Sequence, residues 1–199
     1  MNLLTEAIVL AVRAHGEHGA VVRALTPGDG VQAGYVRGGK SSRLRPVLVP
    51  GNLVQAQFRA RTEEQLDYLS VELMHSRAYL LSEPLAAAGI EWACALTAAA
   101  LPEGQPYPRL YEGLDGLLSA IESAPSARGW VVALVRFEQL VLGEAGFGAG
   151  ALPPTGTGID WESLRTSGVR LERDLLTGRQ SEVLAARERL VERLKRIGG

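Results

Sequence analysis

Residues 6–26, EAIVLAVRAHGEHGAVVRALT, decide the fold. Two runs rich in Ala, Val and Leu, 6–14 and 19–26, flank the segment HGEHG, whose two glycines are typical of a hairpin loop. The stretch therefore predicts a β-hairpin. PGDG at 27–30 is a strong turn signal, because proline fixes φ and glycine supplies a positive φ.

Three further strands are predicted before residue 76: VQAGYVRG (31–38), GNLVQAQFRAR (51–61) and LDYLSVELMH (66–75). In the fourth strand, Val54, Ala56 and Phe58 share one face and polar residues occupy most of the other. Five short strands in under 80 residues favour a small closed barrel, because closure removes the exposed edges of an open sheet.

After residue 76 the hydrophobic period changes from two to about 3.6. Helices are predicted over 82–101, 109–123, 130–146 and 181–199, with a short helix over 160–164 and a loop over 147–158. The fold class is therefore α+β: a barrel domain over 1–76 and an α-helical bundle domain over 77–199. The C-terminal region from about residue 149 is short and contains no cysteine.

Composition restricts the possible functions. The chain has 199 residues, 46% of them hydrophobic, and a formal net charge of −1. A single cysteine, Cys94, excludes an internal disulfide and a zinc site built on a cysteine cluster. The N-terminus has no basic head of a signal peptide, and the alanine-rich stretch 84–101 is interrupted by Glu91. We expect a cytoplasmic protein without a membrane partner.

The small net charge hides a gradient. Residues 1–61 contain eight Lys and Arg against three Asp and Glu, whereas residues 80–150 contain three against eight. Such asymmetry indicates a polyanionic partner for the N-terminal domain. Within it, YVRGGKSSRLR (35–45) holds four cations and no acid.

This basic segment follows the third predicted strand. Its glycines and serines do not favour a strand, so we expect a mobile arm. An oligonucleotide-binding (OB) barrel binds its ligand across strands 2 and 3 and the neighbouring loops. The cations of the arm and of the end of the fourth strand would neutralise phosphates: Arg37, Lys40, Arg43, Arg45, Arg59 and Arg61.

Two aromatic residues, Tyr35 and Phe58, could stack on unpaired bases if they are exposed. The alternative for both is a place in the barrel core, and Phe58 shares its face with small apolar residues. The alternative for the whole segment is a solvated loop with scattered cations.

Catalytic patterns are weak. GYVRGGKS (34–41) matches the phosphate-binding pattern G-x-x-x-x-G-K-S, but Pro46 and Pro50 follow where a P-loop would open a helix. His15, Glu17 and His18 match no zinc spacing and are typical of a polar hairpin loop. We therefore expect no enzymatic activity, no catalytic residue, no metal and no cofactor.

The first 61 residues resemble the N-terminal OB domain of the bacterial RecO family of DNA repair mediators. The resemblance rests on the EAIVL strand, the HGE hairpin, the LTPGDG turn and the basic RGGKSSR segment. RFEQLVLGEAGFG (136–148) is similar to a helix of the same family. Many members carry a cysteine cluster after this helix, whereas this chain has AGALPPTGTGIDW there.

The resemblance implies a recombination mediator in DNA repair, associated with the nucleoid. Such a protein binds single- and double-stranded DNA, anneals complementary strands, and helps RecR load RecA onto DNA coated with single-stranded-DNA-binding protein (SSB). It implies DNA contacts by Ser42 and by Arg37, Lys40, Arg43 and Arg45, with Arg59 and Arg61 adjacent. It also implies that Arg136, Phe137 and Leu140 bind the acidic, apolar-ended C-terminal tail of SSB. The alternative is an OB-type adaptor that binds protein and not DNA.

Overall fold

The computed structural model describes residues 2–60, 66–124, 126–148, 160–177 and 181–198. Five strands open the chain: β1 (Asn2–His15), β2 (Gly19–Thr26), β3 (Gly30–Val36), β4 (Leu53–Arg59) and β5 (Asp67–His75). They form a closed barrel in the order β1-β2-β3-β5-β4. The five-strand OB barrel expected from the sequence is thereby confirmed, and so is the α+β class.

The long strand β1 belongs to both sides of the barrel. Its first half pairs with β4 from Asn2 to Ile8, and its second half pairs with β2 from Ile8 to His15. A bulge between Val9 and Ala11 separates the two halves. A bulge bends a strand and increases its twist, which a short barrel needs in order to close.

The barrel closes where β3 and β5 run parallel, with Gly34 opposite Asp67 and Tyr35 opposite Tyr68. A side chain at Gly34 would point inward, where a Cβ atom would lie 2.6 Å from Cβ of Leu69. The barrel interior is filled instead by side chains from the strands and the β3–β4 connection: Ala7, Val9, Val22, Ala24, Val36, Leu48, Val54, Ala56, Phe58 and Leu69. Glycine at position 34 is thus a packing requirement of closure.

The chain divides into two compact units. One comprises Met1–Tyr79 with Leu101–Tyr111, and the other comprises Leu80–Ala100 with Glu112–Gly199. The contacts that group residues 101–111 with the barrel include a hydrogen bond from the amide of Gly104 to the carbonyl of Val31 at 3.0 Å and an ion pair of Arg23 with Glu103 at 3.2 Å.

Five α-helices follow the strands: α1 (Pro84–Ala100), α2 (Pro108–Ser123), α3 (Val131–Glu144), α4 (Trp161–Arg170) and α5 (Ser181–Gly198). Helix α4 is longer than the predicted 160–164, and a π-helical turn, Leu171–Leu175, continues it. Its first turn is capped by Asp160, whose carboxylate accepts hydrogen bonds from the amides of Glu162 and Ser163. Most of the predicted loop 147–158 lies outside the described residues.

A buried carboxylate joins four of these helices. Glu138 on α3 is 0% exposed and accepts a hydrogen bond from Nε1 of Trp92 on α1 at 2.9 Å. Arg187 on α5 donates to both of its oxygens, at 2.9 and 3.1 Å, and the hydroxyl of Ser167 on α4 donates as well. The sequence analysis did not single out this group, because its partners come from three distant segments.

Removing the Glu138 carboxylate should destabilise the helical unit by about 3–5 kcal/mol, because Arg187 would remain buried without its counter-charge. Glu138→Ala tests this. The matched control is Arg189→Ala, which breaks an exposed pair with Glu91 and should cost less than about 1 kcal/mol.

Urea unfolding followed by tryptophan fluorescence provides the measurement, because all three tryptophans, Trp92, Trp130 and Trp161, belong to the helical unit. Equal unfolding midpoints for the two variants would contradict a stabilising role of the buried carboxylate.

Candidate nucleic-acid interface

The basic segment is a chain of hydrogen-bonded turns, which corrects the expectation of a mobile arm. The amide of Ser41 donates to the carbonyl of Gly38 at 2.9 Å, and that of Arg45 donates to the carbonyl of Ser41 at 3.0 Å. Residues 37–52, which connect β3 to β4 and contain most of this segment, are called the basic loop below. The course of the loop is set by local turns and, at its end, by backbone hydrogen bonds to β1: the amide of Gly51 donates to the carbonyl of Val9 at 2.9 Å, and the amide of Val9 donates to the carbonyl of Asn52 at 3.0 Å.

Apolar side chains hold the basic loop on the barrel. Leu48 is buried in the barrel core, and Leu44 and Val47 pack against the same core from its edge. At the end of the loop the buried Asn52 donates from Nδ2 to the carbonyls of Pro46 and Val47, at 2.9 and 3.0 Å. Because these apolar side chains pack on the barrel core, the charged side chains of the loop lie on its solvent-facing side.

The loop also docks on the β1–β2 hairpin. The amide of Lys40 donates to the carbonyl of His18 at 3.2 Å, and its ammonium donates to the carbonyl of Gly16 at 2.7 Å. The hairpin tip, the end of β3 and the basic loop therefore share one end of the barrel. This end carries the predicted cations.

The four cations of the basic loop are all exposed, and none of them forms an ion pair with a residue that the structure describes: Arg37, Lys40, Arg43 and Arg45. Lys40 is engaged by Gly16, and Arg45 reaches the carbonyl of Lys40 at 3.5 Å. Ser42 is exposed between them. Within the described part of the chain, no carboxylate therefore pairs with the positive charge of this loop.

The two aromatic residues considered for base stacking, Tyr35 and Phe58, lie on opposite faces of the barrel wall. Phe58 is 1% exposed in the barrel core, so it cannot stack on a base. Tyr35 is half-buried on the outer face of β3, with its ring edge-on to His15 at a centroid distance of 5.9 Å. Tyr68, which sequence reasoning did not single out, lies beside Tyr35 at a centroid distance of 6.2 Å.

The remaining cations of the predicted set lie at the end of β4. Arg59 is exposed, pairs in register with Tyr68, and donates to Oε1 of Gln57 at 2.9 Å. Since Tyr68 neighbours Tyr35, the fold brings Arg59 to the same end of the barrel as the basic loop. Arg61 lies outside the described residues.

Another arginine of this barrel end, Arg13, escaped the sequence reasoning. It is exposed on β1 and pairs in register with Val21, which in turn pairs with Tyr35. Strand alternation could have placed Arg13 on the outer face, but its distance from Tyr35 depends on the pairing of β1, β2 and β3.

Residues 34–41 match the P-loop pattern in sequence but do not form a P-loop in the structure. Gly34 lies inside β3, and Gly39 and Lys40 lie in turns that are not followed by a helix. A phosphate-binding P-loop instead connects a strand directly to a helix N-terminus.

Neither the histidines nor the cysteine forms a candidate catalytic group. In the hairpin, His18 lies 3.8 Å from Glu17, and both side chains are exposed. Within the described ranges, no three His, Cys, Asp or Glu side chains are grouped so that they could hold a metal ion. Cys94 is buried in α1.

The predicted tail-binding residues lie on α3. Arg136 is exposed, Phe137 is 2% exposed and Leu140 is half-buried. Only Arg136 and part of Leu140 are thus accessible to a ligand, while Phe137 packs in the helical core. Sequence spacing alone did not distinguish these orientations.

The helical unit also has a cavity of about 680 Å³ that sequence reasoning missed. Trp130 and Ile121 contribute apolar surface to it, and its charged lining combines Arg193 and Arg196 with Glu83 and Glu122. None of the three predicted tail-binding residues lines it.

A membrane-spanning role finds no support in the helices. Among those that the structure describes, none is both long enough and apolar enough to cross a bilayer.

Comparison with known proteins extends over most of the chain. Residues 1–77 match the family "Recombination protein O N terminal", and residues 81–149 match "Recombination protein O C terminal". DNA repair protein RecO of Rhodospirillum centenum is 44% identical over 160 residues, which is 80% of this chain and 62% of the relative. That of Phenylobacterium zucineum is 40% identical over 171 residues, which is 83% of this chain and 69% of the relative.

A third relative, DNA repair protein RecO of Gluconacetobacter diazotrophicus, is 39% identical over 167 residues, covering 80% of this chain and 66% of the relative. The matched region thus spans 62 to 69% of the length of these three relatives. The two family matches fall on the barrel and on helices α1 to α3. This chain belongs to the RecO family.

Proposed function

We propose that this chain is a recombination mediator in DNA repair. It would bind single- and double-stranded DNA, anneal complementary strands and help load RecA onto SSB-coated DNA in partnership with RecR. The family supports this role as a whole. The observation that carries DNA binding is the basic loop, whose four exposed cations face no carboxylate among the described residues.

Backbone contacts of this kind do not depend on sequence. Each phosphate that a Lys or Arg neutralises releases condensed counterions, so affinity falls with salt. Arg37, Arg43 and Arg45 would contact phosphates directly, with Ser42 donating a hydrogen bond. Arg59 and Arg61 would extend the contact from the end of β4. The activity is binding without a catalytic step or a cofactor, in the cytoplasm at the nucleoid.

The partner protein SSB would be bound through its acidic tail. Arg136 would form a charge-assisted hydrogen bond with a tail carboxylate, and the accessible part of Leu140 would contact the apolar terminal residue. Phe137, being buried, would support the helix face beneath them. The cavity beside Arg193 combines the same two chemistries and is the competing location.

The first prediction concerns salt dependence. Four to six phosphate contacts give a slope of log affinity against log salt of roughly −3 to −4 on single-stranded DNA, at about −0.7 for each contact. Replacing all four loop cations by Ala should reduce the slope by about 3. The loop should stay in place, since Leu44, Val47 and Leu48 anchor it. Fluorescence anisotropy with a labelled oligonucleotide measures both affinity and slope.

A charge-matched control replaces four exposed arginines of the helical unit by Ala: Arg128, Arg165, Arg173 and Arg189. It changes net charge equally and should retain the wild-type slope. The same slope in both quadruple variants would rule out the basic loop as the DNA contact. If the wild-type chain binds no oligonucleotide at all, the alternative of a protein-binding adaptor is favoured.

The second prediction concerns the tail. Arg136→Ala should weaken binding of an SSB-tail peptide by roughly tenfold or more, because a hydrogen bond to a charged group contributes about 1.5–3 kcal/mol. Arg193→Ala is the comparison variant, and isothermal titration gives both affinities. Weaker binding by Arg193→Ala alone would refute the assignment to Arg136 and place the tail in the cavity.

A further inference from the structure

Two tyrosines and a histidine form a row of ring contacts at the barrel end that carries the basic loop. His15 meets Tyr35 edge-on, and Tyr35 meets Tyr68 with an interplanar angle of 55°. Ring centroids 4.5–7 Å apart are in the range of favourable aromatic pairs. Tyr68 is 42% exposed.

The strand register extends this row with arginines. Arg13, Val21, Tyr35, Tyr68 and Arg59 are successive partners across β1, β2, β3, β5 and β4. Directly paired residues point to the same side of a sheet, so all five belong to the outer face. Neighbouring strands lie about 4.8 Å apart, which places Arg59 about 5 Å along the row from Tyr68.

The position of the Tyr35 ring depends on the absence of a side chain at Gly19. The ring lies over Gly19, where a Cβ atom would be 2.2 Å from the tyrosine hydroxyl. Any larger residue at position 19 would displace the ring. The row of rings therefore depends on a glycine of the neighbouring strand.

We propose that Tyr68, supported by Tyr35, is a base-stacking platform that makes this barrel end selective for single-stranded nucleic acid. The inference rests on the proposed DNA binding and adds the bases to the phosphates as contact groups. An exposed aromatic face stacks on an unpaired base of any identity. In a duplex both faces of each base are already covered by its neighbours. Arg59, one strand from Tyr68, would neutralise a phosphate beside the stacked base, and Arg13 lies two strands beyond Tyr35 at the other end of the register row.

The test compares two oligonucleotides of equal length and equal phosphate number: one intact, the other with abasic sites throughout its central segment. Wild-type chain should bind the intact strand roughly 5- to 100-fold more tightly, the range for stacking of one base on an aromatic ring. Tyr68→Ala should abolish most of this preference and leave the salt slope unchanged. Tyr68→Phe should preserve it, because the ring remains.

Two further variants complete the design. Tyr79→Ala removes another exposed tyrosine, outside the row, and should keep the wild-type preference. Gly19→Ala keeps both tyrosines but displaces Tyr35, and should reduce the preference. Near-ultraviolet circular dichroism verifies that each variant retains its tertiary structure.

The outcomes separate this inference from the proposed function. A Tyr68→Ala variant that still prefers the intact strand as strongly as wild type overturns the platform and leaves DNA binding standing. Equal wild-type affinity for intact and abasic strands also overturns it. Absence of wild-type binding to either strand overturns DNA binding itself, and the platform with it.

Discussion

Closure of the barrel between β3 and β5 is the constraint on which the candidate interface depends. Only there do two strands run parallel, among the strand pairs that the structure describes. The close approach of Leu69 to Gly34 leaves no space for a side chain. Because this pairing fixes Tyr35 opposite Tyr68, it also brings the end of β4 to the basic loop. Without closure, β3 and β5 would be the two edges of an open sheet, and Tyr35 and Tyr68 would lie on opposite edges.

The helical unit is organised by a different interaction. Glu138 takes hydrogen bonds from Trp92, Ser167 and Arg187, so one carboxylate fixes the positions of four helices. Buried ion pairs contribute little net stability compared with apolar packing, but the loss of one partner is costly. The network therefore acts more as a specification of helix arrangement than as a source of stability.

Local patterns predicted most of the elements of this fold. Alternation in the fourth strand placed Phe58 on one face with Val54 and Ala56, which is the face that fills the barrel, and the glycine-rich segments marked the turns correctly. The order of the strands could not be predicted, since it depends on pairing between β3 and β5 that no local signal encodes. Tyr68 and Arg13 were missed for that reason, although alternation alone would have placed both on the outer face.

The basic loop shows that residue composition alone does not predict whether a segment is held against the fold. Its glycines and serines suggested a mobile arm, but Leu44, Val47 and Leu48 are spaced so that each returns to the core. The sequence likewise gave no signal for the role of Asn52. Only the structure shows that its side-chain amide donates to the carbonyls of Pro46 and Val47 and so holds the end of the loop.

Because the basic loop is folded before any ligand arrives, its backbone has little conformational entropy left to lose on association. The ordering cost is then confined to long side chains, at about 0.5–1.5 kcal/mol for each one immobilised. In the proposed DNA binding, the adaptable partner would be the nucleic-acid strand, which would bend to follow the arrangement of cations. A surface of this type tolerates many strands of different sequence, because it imposes its own geometry on each of them.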